Sequence, residues 1–65
     1  MEYPNIERRL GLHEEIDIIY VVDGFESIMY DEEFNVIETS KPCKTVRESL
    51  EKLEYKLSLK QDSVT

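Results

Sequence analysis

The residues best equipped for chemistry are carboxylates gathered in one stretch. Glu14, Glu15, Asp17, Asp23, Glu26, Asp31, Glu32, Glu33 and Glu38 lie within 25 residues that hold no lysine or arginine. Two carboxylates can share general acid and general base duties, but only where a cleft drives their pKa values apart. A chain of 65 residues is too small to bury such a pair. Nucleophilic catalysis needs a hydroxyl or thiol beside a base, and His13 and Cys43 are the single histidine and the single cysteine. Gly11 and Gly24 stand alone, so no glycine-rich phosphate loop exists. Asp31-Glu32-Glu33 lacks the 12-residue loop, central glycine and terminal glutamate of a calcium site, and reads as a solvated turn. His13 has no second ligand in view and reads as solvent-exposed. Lys41 and Lys44 flank Cys43 and would favour its thiolate, but a small packed residue at a helix entry is the simpler reading. The chain is therefore expected to be no enzyme, with no catalytic residue, metal or cofactor.

What remains is charge. The acidic stretch carries −9, while the rest of the chain has six acids and eight bases, so the overall −7 is local to the middle. A protein of this sign repels nucleic acid and anionic membranes, and it attracts basic patches over roughly 8–10 Å of screening length. Direct nucleic-acid binding and membrane association are disfavoured.

One small core is all that this length allows, and apolar burial barely offsets conformational entropy at such a size. With a single cysteine no internal disulfide can help, so a homodimer or folding tightened by a partner is a real option. A lone thiol suits a reducing compartment. No apolar run is long enough to span a membrane, and no signal-peptide pattern opens the chain. Cytoplasmic location is expected.

The elements that must position the acids follow from pattern. Pro4 suits a first helical turn, Ile6 and Leu10 share a face, and Gly11 is a natural stop. Ile16 to Val22 is dense in β-branched and aromatic residues and reads as a strand. Asp23-Gly24 is the strongest short hairpin signal, a two-residue type I′ turn, with Phe25 to Tyr30 returning. That turn pairs Val22 with Phe25, Tyr20 with Ser27 and Ile18 with Met29 on one face. It pairs Val21 with Glu26, Ile19 with Ile28 and Asp17 with Tyr30 on the other. Asp31 to Asn35 is a turn in which Asn35 can take the left-handed conformation. Val36 to Ser40 is a third strand; if Tyr30 pairs with Val36, Ile37 joins the first face and Glu38 the second.

Lys41 to Lys44 connects to a helix opened by the capping box Thr45-Val46-Arg47-Glu48. Val46, Leu50, Leu53 and Leu57 form its apolar stripe, which runs to about Leu59 before a frayed tail over 61–65. The stripe needs the sheet side bearing Ile16, Ile18, Tyr20, Val22, Phe25, Met29 and Ile37. The expected fold is α+β, a single domain over 1–65: a three-stranded antiparallel β-meander packed against one C-terminal amphipathic helix, with a short N-terminal helix.

The other sheet side should then display Glu15, Asp17, Glu26, Tyr30 and Glu38, with Asp31, Glu32 and Glu33 at one tip. A row of negative charge on a rigid sheet can fill a groove built for a phosphate backbone, with tyrosine and isoleucine as desolvated anchors. The partner would be a basic nucleic-acid-binding protein. The alternative is that the acids only keep an open face soluble and discourage edge pairing.

In size, charge and strand–helix layout the chain resembles the small acidic inhibitors that bacteriophages make against host nucleic-acid-binding proteins. That class includes DNA mimics that block uracil-DNA glycosylase, CRISPR nucleases and nucleoid proteins. The resemblance implies a non-enzymatic inhibitor acting in the cytoplasm of a bacterial host. A second likeness lies in Val36 to Leu57, where a strand, a Pro42-Cys43 turn and Thr45-Val46-Arg47-Glu48-Ser49-Leu50 open an amphipathic helix. This is similar to the C-terminal half of HicB-type antitoxin domains, although the glycine-rich turn of that family is missing. It implies an antitoxin-like or dimeric module that binds through an apolar sheet face.

Overall fold

The computed structural model describes residues 3–62, and the last residues of the expected C-terminal tail, 63–65, lie outside them. The order is α1 (Pro4–Leu10), β1 (Glu15–Val21), β2 (Gly24–Tyr30), β3 (Val36–Thr39) and α2 (Val46–Asp62). The strands form one antiparallel sheet in the order β1-β2-β3. This is the expected α+β meander with a short first helix and a long second one.

Pro4 sits at the first helical position of α1, where its missing N–H costs nothing. Tyr3 gives no side-chain cap; the cap comes from α2. Glu54 accepts the backbone N–H of Asn5 at 2.9 and 3.1 Å and that of Ile6 at 3.0 Å. The helix stops at Leu10 as expected, but Gly11 keeps right-handed angles. The left-handed residue is His13, with φ of 68°. Around it Glu14 N–H reaches the Arg9 carbonyl at 3.2 Å and His13 N–H reaches that of Leu10 at 3.2 Å, a Schellman-type exit delayed by two residues.

The first hairpin differs from expectation by two residues. Val21 pairs with Gly24, so Val22 and Asp23 form the loop and Gly24 opens β2. Neither loop residue has positive φ; Gly24 carries it, at 138°. The reason is a close approach. Phe25 and Cys43 exchange backbone hydrogen bonds of 2.7 and 2.8 Å, and a Cβ on Gly24 would lie 2.1 Å from the Cys43 carbonyl oxygen. The glycine is there for the connector and not for a type I′ turn. Because the slip is two residues and not one, every side chain keeps its expected face.

The second hairpin holds a β-bulge. Tyr30 pairs with Val36 as expected, but Met29 pairs with Glu38, which leaves Ile37 as the extra residue. Ile37 packs on the core, and Glu38 is carried to the helix side beside Met29. Its expected place on the open face is overturned. In the preceding turn the positive φ belongs to Phe34, at 65°, and not to Asn35.

The core is Ile6, Met29, Leu53 and Leu57, with Tyr3, Ile16, Ile37 and Leu50 packed against it. Thr45 caps α2 as its sequence indicates, its hydroxyl accepting the Glu48 N–H at 3.0 Å. The helix continues to Asp62, three residues beyond the expected end. Of the apolar stripe, Leu53 and Leu57 are buried, Leu50 is half-buried and Val46 is at the surface. Helix and sheet meet at three fully buried serines, Ser27, Ser40 and Ser49. Small side chains allow the close approach, and their hydroxyls are satisfied. Ser49 donates to the Val46 carbonyl at 2.7 Å, so the 2.6 Å contact with Ser27 is donated by Ser27. Ser40 accepts the Ser27 N–H at 2.9 Å and donates to the Lys41 carbonyl at 2.8 Å.

α2 lies mainly over β2 and β3, and β1 reaches the core through Ile16. Ile18 and Tyr20, expected in the core, are therefore 44% and 77% exposed, and Val22, also expected there, is fully exposed in the hairpin loop. Phe25 is half-buried and packs against Tyr20 with the rings tilted, their centroids 5.1 Å apart.

Candidate protein-binding face

The face turned away from α2 is a checkerboard. Across β1 and β2, Glu15 stands opposite Tyr30, Asp17 opposite Ile28, Ile19 opposite Glu26 and Val21 opposite Gly24. Side chains of one strand alternate between faces, so Glu15 and Asp17 stand about 6–7 Å apart on the same side. No acid directly faces another, which avoids the penalty for like charges in a cross-strand pair. The three strands contain no lysine or arginine.

The sites expected on the sheet separate into three groups. Glu15 and Asp17 are exposed, and Tyr30 beside them is half-buried. Glu26 is half-buried and accepts a hydrogen bond from the Thr39 hydroxyl, which holds it against the sheet. Glu38 leaves the group: the bulge turns it toward α2, where its carboxylate lies 3.9 Å from the Lys60 ammonium. Glu14, next to the face, is paired with Arg9 at 3.0 Å. Bases from outside the acidic stretch thus balance two of its nine acids. The sequence reading missed both pairs, because each joins segments that only folding brings together.

Asp31, Glu32 and Glu33 form the tip, continuous with the Glu15 end. Asp31 is turned inward on its own loop, accepting the N–H groups of Glu33 and Asn35 at 2.9 Å each. The Asn35 amide holds its carboxyl below the usual carboxylate range, helped by that of Glu33 and opposed by desolvation. This geometry spends the carboxylate on backbone donors and not on a cation. Among the described residues no cluster of three acid, histidine or cysteine side chains fits a metal ion. Glu32 and Glu33 point to solvent. A hollow of about 250 Å³ beside the tip is lined by His13, Glu15, Asp31, Glu32 and Phe34.

No family model, curated protein or solved structure matches this chain. The physical character of the face is therefore its description. It combines two exposed acids on a strand, a third anchored by Thr39, two exposed acids at a tip, and half-buried Val21, Ile28 and Tyr30 between them. Half-buried apolar side chains offer area to a partner, and the acids set the sign of that partner. No helix is long and apolar enough to cross a membrane among the described residues.

Proposed function

We propose that the protein is a non-enzymatic acidic inhibitor that takes the place of nucleic acid on the binding surface of a basic protein. The carrying observation is that Glu15, Asp17 and Glu26 stand on one rigid sheet face whose strands hold no base. A rigid display supports this reading because the charges lose little freedom on binding. Tyr30 and Ile28 are the anchors, and Asp31, Glu32 and Glu33 extend the negative field beyond the sheet. Glu38 contributes little, since Lys60 opposes it. A nucleoid protein or a nuclease fits the partner class, and the bacteriophage-inhibitor likeness points to action in a bacterial cytoplasm.

The test is competition for labelled DNA across a panel of basic DNA-binding proteins. The wild-type chain should displace DNA at low salt, its own binding to the basic protein should weaken steeply as salt rises, and it should bind no DNA itself. Glu15→Gln, Asp17→Asn and Glu26→Gln together should abolish displacement, while Glu38→Gln should leave it nearly unchanged. Failure to displace DNA from any panel member, or equal competition by the triple variant, overturns the reading.

A further inference from the structure

We infer that the β1 edge is a dimerisation edge, and that a second copy of this chain pairs with it antiparallel about a twofold axis through Ile18. The inference does not depend on the inhibitor reading, since a monomer could carry the same acidic face.

The two edges of the sheet are built differently. β3 is four residues long, carries the bulge at Ile37, is followed by Lys41 and Pro42, and has the Lys56 ammonium on its Thr39 carbonyl at 3.1 Å. Shortness, bulges, lysine and proline are the usual devices that stop an edge from pairing. β1 has none of those four, and its charged side chains, Glu15 and Asp17, both lie to the N-terminal side of Ile18. It is seven unbroken residues without proline, lysine or arginine, and among the described residues nothing is hydrogen-bonded to its outer side.

That edge is also apolar on both faces. Ile18 and Tyr20 are exposed on the helix side, beyond the reach of α2, and Ile19 is exposed on the open side. A partner strand must therefore bring apolar side chains to both faces at once. A second β1 does so. Directly opposite residues in an antiparallel pair share a face, so a twofold axis normal to the sheet must pass through a residue and not between two.

Centred on Ile18, the pairing sets Ile18 against its copy, Ile16 against Tyr20, Asp17 against Ile19 and Glu15 against Val21. It engages all seven residues and repeats the acid-opposite-apolar rule that β1 and β2 already obey. Centred on Asp17, two aspartates would collide; centred on Ile16, Glu15 would face Asp17; centred on Ile19 or Tyr20, fewer residues pair. The charge pattern selects one register.

The need is visible in the core. Four buried apolar side chains are few for a chain with no disulfide, and oligomerisation is a common remedy at this size. Opposing it is net charge, since each copy carries −7. Dimerisation should therefore strengthen as salt rises, opposite to the salt response of binding to a basic partner. The two proposals fail separately.

Sedimentation of the full chain from micromolar to millimolar concentration, at low and high salt, reads the equilibrium. A dimer fraction that grows with both is expected. Ile18→Lys places two ammonium groups on the axis and should leave a monomer with an unchanged circular dichroism spectrum. Disulfide trapping fixes the register. In a Cys43→Ser background, Ile18→Cys lies about 4.5–5.5 Å from its copy between Cα atoms, within disulfide range. Val22→Cys pairs with Glu14 and lies roughly 26 Å from its own copy, eight strand residues away. Residue 18 should crosslink and residue 22 should not, although Val22 is the more exposed of the two. A monomer at every concentration and salt, a dimer retained by Ile18→Lys, or crosslinking that follows exposure overturns the proposal.

Discussion

The Glu54 carboxylate on α2 accepts the Asn5 backbone N–H on α1 at 2.9 and 3.1 Å, across 49 residues of sequence. The Ile6 N–H completes the cap at 3.0 Å, so the first helix is finished by the second. Charged acceptors on backbone donors contribute about 1.5–3 kcal/mol. Glu54→Ala should cost about that much in urea unfolding, and hydrogen exchange should speed first at Asn5 and Ile6. Exchange unchanged at those amides would place the cap elsewhere.

The serine contact predicts an asymmetry. In Ser49→Ala the Ser27 hydroxyl is left buried without its acceptor, at a cost of about 1–3 kcal/mol. In Ser27→Ala the Ser49 hydroxyl still donates to the Val46 carbonyl, so the loss should be smaller. Chemical denaturation of both single variants and the double variant measures the difference, and equal losses would reverse the assigned donor.

Gly24→Ala meets two penalties together. The left-handed angle strains any side chain by about 1–3 kcal/mol, and the new Cβ would overlap the Cys43 carbonyl oxygen. The expected outcome is a lowered thermal midpoint with loss of the Phe25–Cys43 bridge, seen as faster amide exchange at both residues. The open turn at Val22 and Asp23 should tolerate substitution far better.

Leu53 is fully buried and Lys52 exposed. Leu53→Ala should cost about 2–5 kcal/mol, as emptied core leucine sites do, which is a large share of the stability of a small domain. Lys52→Ala should stay within about 0.5 kcal/mol. Equal effects would mean that α2 presents a different face.

Asp31 gives a pH prediction. Its folded carboxyl is held below the ordinary value by the Asn35 and Glu33 amides. A depressed folded pKa contributes stability above the unfolded value, near 3.9, and that contribution is lost as pH falls toward the folded value. Nuclear magnetic resonance titration should find Asp31 protonating below the ordinary carboxylate range, and Asp31→Ala should remove the order of the Glu33 to Asn35 turn at neutral pH.

Much of this protein is legible locally. The density of β-branched and aromatic residues in Ile16 to Val22, the capping pattern at Thr45 and the leucine stripe each depend on neighbours within a turn or a strand, so the element types follow from the chain itself. The faces of β1 and β2 were readable for the same reason, since alternation survives a slip of two residues. Gly24 was misread because its conformation answers Cys43, nineteen residues away, and the hairpin signal of Asp23-Gly24 carries no information about that connector.

Tertiary structure alone decided where the charges and the apolar surface stand. A one-residue bulge at Ile37 moved Glu38 from the open face to Lys60, and no propensity marks such an insertion. The acid-rich stretch, with no base of its own, acquired Arg9 and Lys60 as partners through folding. A helix stripe shows that a sheet must be covered, but not which strands it reaches. α2 settled over β2 and β3 because the small serines admit it there, and β1 was left with Ile18, Ile19 and Tyr20 in water. Local pattern sets what each segment is, because its forces act within a few residues; placement depends on packing between distant segments, which pattern does not contain.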